Sequence, residues 1–199
     1  HYLVMPFIEG TPLSRLIDSE HPWQPRQAAD LVRQLALALG VMHSRGLIHR
    51  DLKPSNIILR PSREPVVMDF GLARSFTEQS RRLTATGQSL GTPAYMSPEQ
   101  IRGVGSTLGP ATDVYSLGVL LYELVTGQLP FSGPLGAVYG QILHAIPLPP
   151  SKTRPGLEPA LDALCMRALA KEPADRYASM AEFAGALQDF LHGEPTGGR

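Results

Sequence analysis

The chain has 199 residues, one domain or at most two, and at 43% hydrophobic and 18% charged it can bury a core. Eighteen basic residues balance eighteen acidic ones, which argues against a protein that works by coating nucleic acid or anionic lipid, since both leave a basic surplus. The lone cysteine, Cys165, excludes an internal disulfide and a multi-cysteine zinc site, and its apolar helical surroundings read as a small buried side chain.

The N-terminal stretch Tyr2–Ile8 is a short apolar strand candidate ended by Glu9-Gly10-Thr11-Pro12, and Leu13–Asp18 a short helix candidate. Pro25 opens a strong helix with Leu31, Leu35 and Leu39 on one stripe, ending near Gly46. Two β-branched runs, 57–59 and 66–68, flank the turn-rich 61–65 and predict a hairpin. Residues 74–92 are polar and aperiodic, as long functional loops are. Val114–Thr126 is apolar almost all round and reads as a central buried helix ended by Gly127. Ala137–His144 is a further short helix, and Ile146–Pro159, with five prolines, a surface connection. Its P-x-x-P match, Pro147 to Pro150, reads as a rigid loop rather than an SH3 ligand. Ala160–Ala170 and Ser179–Leu191 complete a helical C-terminal half. No apolar run is long enough to span a membrane, and no signal-peptide pattern opens the chain. A cytoplasmic location is therefore expected, with any membrane anchor of a parent protein outside this segment.

The chemistry-bearing segment is His49-Arg50-Asp51-Leu52-Lys53-Pro54-Ser55-Asn56, a loop between the long helix and the hairpin. Asp69-Phe70-Gly71 follows the second β run, thirteen residues after Asn56. Gly91-Thr92-Pro93-Ala94-Tyr95-Met96-Ser97-Pro98-Glu99, Asp113 and Arg176 come next in order. This ordered set resembles the eukaryotic-type (Hanks-type) serine/threonine protein kinases, with the H-R-D-x-x-x-x-N catalytic loop, the D-F-G motif and a substrate-docking segment. The arginine bias, fifteen Arg to three Lys, and the S-P-E-Q spelling look similar to bacterial members. The likeness runs from residue 1 to about residue 191.

The resemblance implies an α+β kinase-like fold: a mainly helical large lobe with short β-hairpins, the small lobe absent. It implies ATP and Mg²⁺ (or Mn²⁺) as cofactors and a protein Ser/Thr hydroxyl as acceptor. Asp51 would orient that hydroxyl and take its proton, Lys53 would place a cation on the γ-phosphate, and Asn56 and Asp69 would hold the metal. Thr92 would bridge Asp51 and Lys53. The first residues resemble the inter-lobe hinge: Met5 falls at the gatekeeper position, Pro6 and Ile8 would bond the adenine edge, and Ile58 would pack beneath it. Pro12 departs from the polar residue many kinases place near the ribose. Leu13, Leu120 and Leu124 would support the adenine floor.

His49 and Phe70 would stack in a hydrophobic column beside Gly71, Glu99 and Arg176 would form a buried ion pair, and Asp113 would accept hydrogen bonds from the catalytic loop. Arg50 and Arg74 sit where the family holds an activation-loop phosphothreonine, for which Thr84 and Thr86 are in reach. Ser55 and Ala94 stand where arginine-directed kinases often carry acids, which leaves Glu123 as a contact for a basic substrate residue or as a structural group.

No G-x-G-x-x-G loop or strand lysine occurs in these residues. The expectation is therefore a hinge remnant at 1–10, a kinase large lobe at 11–192 and a tail or linker at 193–199, cut from a kinase whose small lobe acts in cis, with little activity alone. The alternative is a truncated, non-catalytic kinase-like scaffold; the intact Asp51, Lys53, Asn56 and Asp69 favour the enzyme. A small-molecule kinase is disfavoured by the docking segment.

Overall fold

Proline opens five helices in the structure, a computed structural model that describes residues 7–69, 93–103 and 108–193. A proline in the first turn has its φ preset for the helix and lacks only an N–H that would have no intrahelical partner. These five are about a quarter of the 19 prolines in the chain.

The helices are α1 (Pro25–His43), α2 (Pro98–Arg102), α3 (Pro110–Thr126), α4 (Leu135–His144), α5 (Pro150–Thr153), α6 (Pro159–Ala168) and α7 (Met180–His192). α3 is the axle: fourteen of its seventeen residues are buried, as its unbroken apolarity predicts. α1 packs between α3 and α7, and α6 lies on another side of α3. Leu31, Leu35 and Leu39 of α1 face this core with Leu117, Leu121 and Phe183. Gly118 lets α6 approach α3, since a Cβ there would lie 2.6 Å from the Ala168 Cβ. A smaller cluster of Tyr115, Val119, Phe131, Val138 and Ile142 joins α3 to α4. Cys165 is fully buried in the main core, and burial pushes its thiol pKa up, away from nucleophilic use.

Among the described residues three strands, β1 (Thr11–Pro12), β2 (Ile57–Leu59) and β3 (Pro65–Val67), run antiparallel in the order β1-β2-β3. The expected hairpin is present, turned by Arg60–Glu64 with Arg63 at φ 65°. The expected strand Tyr2–Ile8 falls mostly on residues that are not described. Residues 2–6 of Tyr2–Ile8 lie outside the described residues, Phe7–Glu9 are irregular, and Thr11–Pro12, read as the strand's end, pair with Ile58 and Leu59. Proline is tolerated there because β1 lies at the edge of the sheet among the described residues.

Two further readings are corrected. Leu13–Asp18 shrinks to a single 3-10 turn, Leu13–Arg15. Ile146–Pro159 is only partly a surface connection: it contains α5, and Pro147, Pro150 and Leu157 are buried. Both outer prolines of the P-x-x-P match are buried, and Pro150 opens α5. No helix among the described residues is long and apolar enough to cross a membrane.

Candidate active site

The loop 47–56 leaves α1 and enters β2, and its shape is set from α3. Asp113, in the first turn of α3 and fully buried, accepts the His49 N–H at 2.9 Å on Oδ2 and the Arg50 N–H at 2.9 Å on Oδ1. His43 Nε2, from the last turn of α1, bonds the same Oδ2 at 2.8 Å. A buried carboxylate with three partners replaces the water it lost, and it fixes two consecutive peptide units.

Those bonds hold Arg50 at φ 66°, a left-handed conformation that costs a non-glycine residue about 1–2 kcal/mol. The loop turns there and presents Asp51 outward. His49 is buried beneath it: Nε2 donates to the Met68 carbonyl at 3.0 Å, and Nδ1 accepts the Asp51 N–H at 3.3 Å. Because Met68 O can only accept and Asp51 N can only donate, the bonds define which ring nitrogen carries the proton.

The Asp51 carboxylate is half-exposed and holds Lys53 Nζ at 3.0 and 2.9 Å through its two oxygens. Asn56 Nδ2 donates to the Asp51 carbonyl at 2.8 Å and to its carboxylate at 3.2 Å. Both partners are acceptors, so the amide nitrogen must face Asp51 and the carbonyl oxygen turns away, with only a 3.5 Å contact from Ser55.

The hairpin register carries Asp69 to this place. Ile57 pairs with Val67, and the Met68 N–H reaches the Asn56 carbonyl at 2.7 Å, so Asp69 emerges one residue beyond Asn56's partner. Asp69 is exposed at φ 55°. Asn56 and Asp69 thus offer hard oxygens at one end of the hairpin, which suits Mg²⁺. Among the described residues no group of three or more His, Cys, Asp or Glu could hold a metal ion.

A half-open cleft runs beside Lys53, lined by Ser14, Ile17, Ser55, Tyr95 and Glu123. Tyr95 donates its hydroxyl to Glu123. Burial pushes the Glu123 carboxyl above its usual value, and the Tyr95 bond only partly offsets this. Burial, with Glu123 beside it, also raises the Tyr95 hydroxyl. Ser116 of α3 donates to the Tyr95 carbonyl at 2.8 Å and seats the 93–95 turn.

Behind the cleft, Arg176 grips Glu99 through two 2.8 Å bonds and also donates to the carbonyls of Ala170, Ala111 and Lys171. Burial alone would raise the Glu99 carboxyl; the Arg176 bonds and charge outweigh it and hold the pKa below its ordinary value. Thr112 adds a 3.0 Å bond to the same carboxylate.

Asp51, Lys53, Asn56, Asp69, His49 and Asp113 therefore converge. Ile8 and Ile58 are both half-buried, and Gly10 lies against Ile58 through the β1–β2 pairing. Leu13, Leu120 and Leu124 share the main core. Met5, Pro6, Phe70, Gly71, Arg74, Thr84, Thr86 and Thr92 lie outside the described residues. Sequence reasoning passed over His43, Thr112 and Gln100. For Gln100 a signal was present: Ser97-x-x-Gln100 spells a capping box.

A family model described as the protein kinase domain matches residues 1–186. Serine/threonine-protein kinase PknB of Mycobacterium tuberculosis is 40% identical over 196 residues, covering 98% of this chain and 31% of that protein. Serine/threonine-protein kinase pkn3 of Myxococcus xanthus is 41% identical, covering 94% of this chain and 36% of its own length. A probable serine/threonine-protein kinase of Corynebacterium efficiens is 40% identical over 193 residues, 94% of this chain and 29% of its own. The chain thus spans about a third of the length of the curated relatives it matches.

Proposed function

The chain belongs to the protein kinase family, and on that premise we propose that the whole protein is a bacterial-type serine/threonine protein kinase that transfers the ATP γ-phosphate to protein hydroxyls. The observation that carries this reading is the half-exposed Asp51 carboxylate, bonded through both oxygens to Lys53, which lines a cleft, and steadied by Asn56. Residues 11–192 would form the large lobe, with 1–10 as hinge and 193–199 as tail.

In this reading the substrate hydroxyl bonds Asp51, which orients its lone pair toward the γ-phosphorus. The new O–P bond forms as the bond to the ADP oxygen breaks, and the hydroxyl proton passes to Asp51 late in the step. Lys53, already held at the carboxylate, offsets charge on the migrating phosphoryl oxygens. Asn56 through its carbonyl oxygen and Asp69 through its carboxylate would hold Mg²⁺ or Mn²⁺, which supplies neutralisation of the nucleotide phosphates. Thr92 would tie the docking segment to Asp51 and Lys53. Met5, Pro6, Ile8 and Ile58 would receive adenine. The reading also requires a Gly-rich loop and a strand lysine, which the family supplies from a small lobe in cis.

Arg50 and Arg74 would pair with phosphate on Thr84 or Thr86 and order the activation loop. Glu123, an acid lining the same cleft as Lys53, would meet a basic substrate residue. The reaction belongs in the cytoplasm, where ATP is abundant.

The test is ATP-dependent phosphorylation of protein substrate by the whole protein and by its Asp51→Asn variant. A rate loss of about 10²–10⁴ with an unchanged unfolding temperature is expected. Undiminished transfer by the variant would overturn the assignment.

A further inference from the structure

Gln100 is buried in α2, outside the groups assigned to the reaction above. Its carbonyl oxygen accepts the Ser97 N–H at 3.0 Å and the Ser97 hydroxyl at 3.3 Å. The backbone N–H can only donate, so this half of the amide is oxygen and the other half is nitrogen. That nitrogen donates to the Arg50 carbonyl at 2.6 Å, across 50 residues of chain.

The Arg50 carbonyl belongs to the peptide plane that also carries the Asp51 N–H. Three groups hold this corner. Asp113 takes the Arg50 N–H at 2.9 Å, His49 Nδ1 takes the Asp51 N–H at 3.3 Å, and Gln100 takes the carbonyl between them. Arg50 sits at φ 66°, so the corner persists only because its surroundings over-determine it. The His49 bond is long, and Gln100 makes the shorter of the two bonds to the Arg50–Asp51 plane.

We infer that Gln100 is a positioning residue for phosphoryl transfer: it holds the Arg50–Asp51 peptide plane, and with it the Asp51 carboxylate, and couples that plane to the cap of α2. The inference rests on the kinase reading and deepens it. A purely structural Gln100 would matter only through the Ser97 cap.

The variant Gln100→Glu separates the two roles. A carboxylate can still accept from Ser97, as glutamate does in many capping boxes. It cannot donate to the Arg50 carbonyl and instead sets oxygen against oxygen. In the whole protein we expect kcat to fall about tenfold near pH 8 for loss of one buried hydrogen bond. KM for ATP and for protein substrate should stay within about twofold. The deficit should shrink toward about pH 6, because the protonated carboxyl donates again. Gln100→Met, which can neither donate nor accept, should lose kcat similarly and show no recovery at low pH; it carries the test if Gln100→Glu does not fold. A kcat within about twofold of the unmutated protein in the folded variant would overturn the inference. An unmutated protein without transferase activity would overturn the kinase reading and this inference with it, so the two failures are distinct.

Discussion

Arg176 and Glu99, 77 residues apart in the chain, meet through two parallel hydrogen bonds of 2.8 Å each. The guanidinium also lies 5.0 Å from the centre of the Tyr115 ring and donates to three backbone carbonyls, so both charges are dry and fully engaged. The pair anchors α2, and hence the 93–97 segment beside the cleft, to the C-terminal half.

Removing one partner leaves a buried charge alone, so Arg176→Met should cost about 3–5 kcal/mol by denaturant unfolding. The pH dependence has a definite sign. The folded Glu99 pKa lies below the ordinary 4.5, so its contribution is complete above that pH and fades as acid protonates the folded carboxyl. Unfolding temperature plotted against pH should show this acid limb, and Glu99→Gln should flatten it.

Asp113→Asn should loosen the 47–56 loop. One face of the new amide cannot accept, so the His49 N–H, the Arg50 N–H or His43 loses its partner, at about 1–3 kcal/mol per orphaned group. Amide hydrogen exchange at His49 and Arg50 should accelerate, and kcat should fall more than KM rises. Unchanged exchange at both amides would show that α3 does not set the loop.

Asp69→Ala should uncouple nucleotide affinity from the metal. Calorimetric titration with ATP should show tighter binding on adding Mg²⁺ in the unmutated protein and little gain in the variant, with affinity in chelator the same for both. Asn56→Leu should weaken the metal effect and also free Asp51, whose two bonds from Nδ2 are lost.

Glu123→Gln should stabilise the protein at neutral pH. Burial holds the folded carboxyl pKa above 4.5, so between that value and the folded one the native state binds more protons than the unfolded state. Stability therefore falls as pH rises through this window. The variant lacks the fall, so its unfolding temperature should exceed the parent's near pH 7 and match it below about pH 4. If Glu123 meets a basic substrate residue, the same variant should raise KM for basic peptides and leave that for neutral ones unchanged.

The long elements were legible because periodicity reports local burial. The leucine stripe of α1 and the apolar run of α3 each state their faces over several turns, and Gly127 at φ 72° marks the end of α3. Short elements lack that redundancy. α2 has five residues and α5 four, fewer than two turns each, and neither shows a period. β1 has only two residues, Thr11–Pro12, and its strand character comes from pairing with β2.

The sequence by itself determined the candidate site: Asp51, Lys53 and Asn56 share one short loop, and the hairpin that delivers Asp69 is written in two β-branched runs and a turn. Only the tertiary structure decided how that loop is held. His43 and Asp113 are 70 residues apart, Gln100 and Arg50 50 apart, and Thr112 meets Glu99 between two helices. Such bonds form where packed helices bring donors and acceptors together, and a buried polar group takes whichever partner the packing offers because leaving it unpaired costs more. No local pattern in the chain encodes that choice.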